Sequence, residues 1–237
     1  MTTDNITLQD VTKTFTPCQT QLNAVSQVSI SIPRGSFRVV AGTSGSGKTT
    51  LLNLIGGLTR PTTGRIMIGD QNLTEMDEQA LAIFRRHQVG FIFQGNNLIS
   101  TLTAFENIEI PLILTQTSDR RAKVEAILKD VGLLHKQQMF PRYLSVGEQQ
   151  RIAIARAMVH SPEIVLADEP TANIDSKASE EILLLLQTLN QKLNRTILFS
   201  THDPKIIEQN EKVIWLRDGE ITEGSEGDTR GIQGLEG

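Results

Sequence analysis

The chain has 237 residues, 38% of them hydrophobic and 21% charged, with a formal net charge of −4 at neutral pH. That length suits one large domain or two small ones with ample core. The acidic balance argues against broad nucleic-acid binding, which needs a basic face to neutralise phosphate, and no apolar run approaches the ~18 residues of a membrane span.

Met1–Asp10 is polar and acidic rather than a charged-then-apolar signal segment. Alternation around Ile6–Val11 and Val28–Ile32 predicts strands, and Pro33-Arg34-Gly35 predicts a turn. The single cysteine, Cys18, allows no internal disulfide and fits a reducing, cytosolic-type compartment. Phe37–Ala41 reads as a short buried strand. After a glycine-rich loop, Leu51, Leu54, Ile55 and Leu58 recur at i, i+3, i+4 and i+7, the spacing of an amphipathic helix. Gly64 and Gly69 enclose another short strand, and Arg85-Arg86-His87 reads as a solvated helix end. The stretch from Asn96 to Ala157 reads as helical. Within it Val124, Ile127, Leu128 and Val131 share one face, and Gly132 is placed to end the helix. Ile164–Ala167 predicts a buried strand, Ile182, Leu185, Leu186, Leu189 and Leu193 a helix, and Thr196–Ser200 a further strand. Val213–Leu216, the turn Asp218-Gly219 and Ile221 predict a terminal hairpin. Strands alternating with helices imply an α/β fold with a mostly parallel sheet. Residues 223–237 are glycine-rich with little apolar content, which predicts a mobile tail.

Residues 42–49, Gly-Thr-Ser-Gly-Ser-Gly-Lys-Thr, match G-x-x-x-x-G-K-[ST] between a predicted strand and a predicted helix. Gly42, Gly45 and Gly47 permit a tight turn, and the loop amides then converge on phosphate at the helix N-terminus. Lys48 is expected to reach the β- and γ-phosphates, and the Thr49 hydroxyl to ligate Mg2+. Asp168 and Glu169 close an apolar strand at the end where open α/β sheets bind ligands. There Asp168 suits Mg2+ and Glu169 suits a proton acceptor for the water that attacks the γ-phosphate; alone, the pair also fits an ordinary strand-to-loop junction. Ser145 and Glu148 form an S-x-x-E capping box. The helix it opens is either a second anion-receiving N-terminus or simply a capped helix, and the residues alone leave both open.

The ordered set of motifs is more specific than any member. Phe93-Gln94 ends an apolar stretch; Leu-Ser-Val-Gly-Glu-Gln-Gln-Arg follows at 144–151, Leu-Ala-Asp-Glu-Pro-Thr-Ala-Asn-Ile-Asp at 166–175, and Ser-Thr-His-Asp at 200–203. With the phosphate loop, this resembles the ATP-binding subunit of an ABC transporter across nearly the whole chain. Phe91-Ile92-Phe93-Gln94, Asn97-Leu98 and Leu102–Ile108 resemble the lipoprotein-releasing and macrolide-exporter branch. The resemblance implies a P-loop NTPase fold with a RecA-like parallel-sheet core, a small N-terminal antiparallel β region and an inserted helical subdomain. The core would span 1–95 and 158–222, and the helical subdomain, carrying the signature, 96–157.

It further implies that two copies, expected to be identical, associate head to tail with ATP and Mg2+ between them. The loop of one copy (Gly42, Thr43, Ser44, Gly45, Ser46, Gly47, Lys48, Thr49 and Thr50) would face Ser145 and Gly147 of the other. Gln94 would contact metal or water, His202 would hydrogen-bond the γ-phosphate, Asp175 would couple the two sites, and Phe15 would stack on adenine. The competing readings are a surface glutamine, a structural histidine, a helix-terminal charge and a strand-core phenylalanine. Val146 stands where the family usually has glycine, and Glu148 where it more often has glutamine. The implied function is ATP hydrolysis powering transmembrane permease subunits, with the chain held at the cytoplasmic face of the cell membrane. Because the sequence has no span, those subunits are expected to be separate polypeptides, and nucleic acid is not expected as a partner. Alternatives are control of a cell-wall hydrolase through a membrane subunit, or a soluble ABC ATPase acting on DNA or ribosomes. A monomeric P-loop kinase would leave the signature and His202 unexplained.

Overall fold

The computed structural model describes residues 4–16 and 21–222. Cys18 and the tail expected at 223–237 lie outside them. In chain order the elements are β1 (Asp4–Phe15), β2 (Leu22–Pro33), β3 (Phe37–Ala41), α1 (Lys48–Ile55), β4 (Thr63–Ile68) and β5 (Gln71–Asn72). Next come α2 (Glu78–Gln88), β6 (Val89–Ile92), α3 (Ala104–Leu114), α4 (Arg120–Asp130), α5 (Val146–Met158) and β7 (Ile164–Asp168). The chain continues through α6 (Ser176–Leu193), β8 (Thr196–Thr201), α7 (Pro204–Glu208), β9 (Val213–Arg217) and β10 (Glu220–Ile221).

The strands form two sheets. One is antiparallel, in the order β2-β1-β4-β5; the other runs β10-β9-β3-β8-β7-β6. In the second, β9, β3, β8, β7 and β6 are parallel, and only β10 turns back in the predicted hairpin. A central parallel strand buries both faces, and β7 does so. Val165 and Ala167 join a core with α3, α5 and α6, while Ile164 and Leu166 join a second core with α1 and the antiparallel sheet. This two-sided burial fixes β7 in the middle of the sheet and holds its carboxyl end firmly.

Several predicted boundaries move, each for a local reason. Strands β1 and β2 each run 12 residues. Register shifts between Leu8 and Val11 and between Val11 and Lys13 break the alternation without ending the ladder. Helix α1 stops at Ile55, because Gly56 caps it and Gly57 takes a φ of 64°, so Leu58 is 46% exposed instead of extending the apolar face. Helix α2 covers more than the predicted Arg85-Arg86-His87 end; Asp77 caps it and Leu81 and Phe84 anchor it. The stretch 96–157 is only partly helical. Asn107 bonds the amide and carbonyl of Ile99 and the carbonyl of Leu102, giving the residues before α3 a non-helical path. Leu185 and Leu193 on α6 pack against the core only partly buried.

Candidate nucleotide site

Strand β8 lies between β3 and β7, with Ala41 beside Thr201 and Asp168 beside Ser200. Three parallel strands therefore end at one level, and the loops leaving them share one place. The loop after β3 needs its glycines. Gly47 has a φ of 106°, and a Cβ there would sit 2.2 Å from the Ala24 carbonyl oxygen. A Cβ on Gly42 would sit 2.3 Å from the Leu216 carbonyl oxygen. Thr43, Ser44 and Gly45 are exposed, Thr49 is exposed on the first turn of α1, and Thr50 is half-buried. Ser46 is buried, and its Oγ has no hydrogen-bond partner.

Lys48 is buried, its Nζ donating to the carbonyls of Gly42 (2.8 Å) and Thr43 (2.9 Å) and lying 3.5 Å from Glu169 Oε1. Thr49 Oγ1 donates to Asp168 Oδ2 at 2.8 Å. Ser200 joins the two acids: its hydroxyl donates to Asp168 Oδ1 at 2.7 Å and accepts from the Glu169 amide at 2.9 Å. His202 Nδ1 is 3.2 Å from Glu169 Oε1. Lys48, Thr49, Asp168, Glu169 and His202 thus form one cluster. Sequence reasoning missed Ser200 as a member. Its signal was a hydroxyl at the end of a buried strand two residues before His202.

These residues fit a nucleoside polyphosphate with a divalent cation. The loop places a helix N-terminus, a buried ammonium and an unpartnered buried hydroxyl together, which suits phosphate. The Thr49 hydroxyl and Asp168 carboxylate are hard oxygen donors. One carboxylate with one hydroxyl suits Mg2+, which keeps waters and substrate phosphates as its other ligands.

The remaining predicted residues fall elsewhere. Gln94 is exposed just past β6, and its backbone carbonyl accepts from Asn173 Nδ2 at 3.3 Å. Its side chain makes no hydrogen bond to the cluster. Phe15 ends β1 at 42% exposure with Lys13 Nζ 5.1 Å from its ring centroid, so the strand-core alternative is wrong. Ser145, Gly147 and Asp175 line a separate concavity of about 630 Å³ that contains no phosphate-loop residue.

In that concavity the capping box is complete. Ser145 Oγ accepts from the Glu148 amide at 3.3 Å, and Glu148 Oε2 accepts from the Ser145 amide at 2.9 Å. The Lys136 ammonium on its other oxygen, then the Ser145 amide, hold the Glu148 carboxyl below its usual range. Val146 opens α5 without a left-handed backbone. A Cβ on Gly147 would meet only the Ala178 Cβ at 3.9 Å, so nothing among the described residues requires glycine there. Asp175 caps α6 through the Ala178 amide at 3.0 Å.

Fold and cluster together define a P-loop nucleotide-hydrolysing protein of the α/β class. The family model described as ABC transporter matches residues 25–172. The macrolide export ATP-binding/permease protein MacB of Hyphomonas neptunium is 44% identical over 227 residues, 95% of this chain and 35% of that protein. The ABC transporter ATP-binding protein MJ0796 of Methanocaldococcus jannaschii is 41% identical over 222 residues, covering 91% of this chain and 94% of the relative. A solved dimeric post-hydrolysis structure of the MJ0796 cassette with ADP and Pi superposes with a TM-score of 0.84 at 39% identity, covering 96% of this chain and all of that one. The chain belongs to the ABC transporter family, as its ATP-binding and ATP-hydrolysing domain.

Proposed function

We propose that this ATPase works as a head-to-tail pair whose opening and closing drives transmembrane subunits of a macrolide- or lipoprotein-type system. One observation carries the reading: the phosphate-loop cluster and the opening of α5 lie apart in the chain. The phosphate loop and its acids form one cluster, while Ser145 and Gly147 line another concavity. Two copies exchanging these halves enclose a nucleotide that neither encloses alone. The open space at Gly147 supports this, since among the described residues only the Ala178 Cβ comes within 4 Å of a Cβ placed there. The MJ0796 cassette is itself described as a dimer.

In this reading Lys48 leaves the carbonyls of Gly42 and Thr43 for phosphate oxygens. Thr49 and Asp168 would hold Mg2+, which would supply positive charge beside the phosphates. Glu169 accepts the proton of the attacking water, and His202 orients that water and the γ-phosphate. Gln94 reports on the site, Asp175 couples the two sites, and Phe15 packs on the base. The segment 96–157 acts as the transmitting unit. Its partner docks in a groove of about 320 Å³ lined by Arg85, Arg86, Phe91, Pro111, Arg156 and His160, among others. Among the described residues no carboxylate lines that groove, so it suits an acidic segment on the cytoplasmic side of the membrane subunits. A relative named as an ATP-binding/permease protein supports the pairing of the two functions. Among the described residues no helix is long and apolar enough to cross a membrane.

The deciding experiment is Glu169→Gln. ATP binding persists, turnover drops by about 10²-fold or more, and ATP holds the variant as a dimer. Unchanged turnover removes Glu169 from its role, and a strictly monomeric ATP-bound variant overturns the paired site.

A further inference from the structure

We propose that Lys136 is a positioning residue of the composite site: it cancels the charge of Glu148 so that α5 can receive a negatively charged ligand. This rests on the head-to-tail reading above. A helix N-terminus attracts anions through its free amides, and here those of Val146 and Gly147 have no intrahelical acceptor. The same turn also carries the Glu148 carboxylate, whose Oε2 is spent on the Ser145 amide at 2.9 Å. A full negative charge therefore sits within one turn of the approaching phosphate and opposes it. Lys136 answers that charge from a different segment, its ammonium bonding Glu148 Oε1.

The pair is well placed for this task. Lys136 closes a 3-10 turn, Leu134–Lys136, with its amide bonded to the Leu133 carbonyl at 2.9 Å, and Leu133 is itself buried. Both side chains are largely covered, at 30% and 23% exposure, so solvent screens the pair less than a surface one. Among the described residues, Lys136 is the one cation that forms an ion pair with Glu148. Arg151, which lines the same concavity, instead bonds Glu181 at 2.7 Å. Without Lys136 the phosphate would meet an uncompensated carboxylate.

The test uses the full chain in the Glu169→Gln background, reading ATP-driven dimerisation by sedimentation and monomer ATP affinity with a fluorescent nucleotide. Lys136→Met raises the ATP concentration for half-dimerisation on the order of tenfold and leaves monomer affinity unchanged. Lys136→Arg keeps the parent behaviour. Adding Glu148→Gln to Lys136→Met brings dimerisation back to within about twofold, because the carboxamide oxygen still accepts from the Ser145 amide while the charge is gone. A merely structural lysine would not be rescued this way. The proposal is overturned if Lys136→Met dimerises normally, or if its loss persists with Glu148→Gln. A parent that never dimerises with ATP overturns the head-to-tail reading itself and this inference with it.

Discussion

Glu169 takes a φ of 43°, a left-handed backbone that a side chain this size adopts at a cost of roughly 1–3 kcal/mol. The Ser200 hydroxyl fixes its amide, and Lys48 and His202 approach the same carboxylate oxygen. Such strain, held by neighbours from α1, β8 and the residue following β8, fits the role proposed for Glu169 in the chemistry. Val146 is the opposite case. It departs from the family's usual glycine, yet it sits at the start of α5 without left-handed strain and 47% exposed. Val146→Gly therefore gives ATP turnover within a few-fold of the parent and a stability change below about 1 kcal/mol, measured by phosphate release and urea titration. A large gain in turnover would show instead that the valine obstructs the ligand.

Among the elements, the end of α5 carries a pH dependence. His160, just past the helix, packs against β6 with Nε2 3.3 Å from the Val89 carbonyl, and its Nδ1 is buried without a partner. Burial pushes its pKa below 6.5 and nearby His87 adds to this, while the bond to Val89 acts the other way. Arg85, Arg86 and Arg156 line the same groove and add positive charge. As pH falls through 6.5, the unfolded histidine takes a proton that the folded one resists, so stability is lost on that side and unaffected above it. His160→Gln flattens the decline in urea midpoint between about pH 7.5 and 5.5. An equally steep decline in the variant would place the titrating group elsewhere. Legibility also divides at this scale. The burial of β7 and the apolar face of α4 are local patterns, and both were readable. The path of residues 96–103 depends on Asn107 turning back to Ile99 and Leu102, and the length of β1 on bulges, neither of which has a period. The cluster of Lys48, Thr49 and Asp168 was legible from motif spacing. Ser200 was not, because its place follows from β8 lying between β3 and β7, a fact of topology.

For the molecule as a whole, local charge runs against global charge. The chain carries −4, yet among the described residues the groove between α2, α3 and α5 presents three arginines and no carboxylate. Two of these arginines are tied to neutral groups: Arg85 donates to the Gly57 carbonyl at 2.7 Å, and Arg156 to the Asn97 and Asn96 carbonyls at 2.7 and 2.8 Å. Such bonds fix the guanidinium groups without cancelling their charge, so the field of the groove stays positive. Arg86 is exposed and can be reversed without breaking a packed contact. On the docking proposed above, Arg86→Glu lowers affinity for detergent-solubilised transmembrane subunits by about tenfold, chiefly through slower association, and leaves ATP affinity of the isolated chain unchanged. Salt weakens the parent complex and has little further effect on the variant, since screening acts on an attraction the reversal has already removed. Equal affinity of parent and variant at low salt would move the docking face away from this groove.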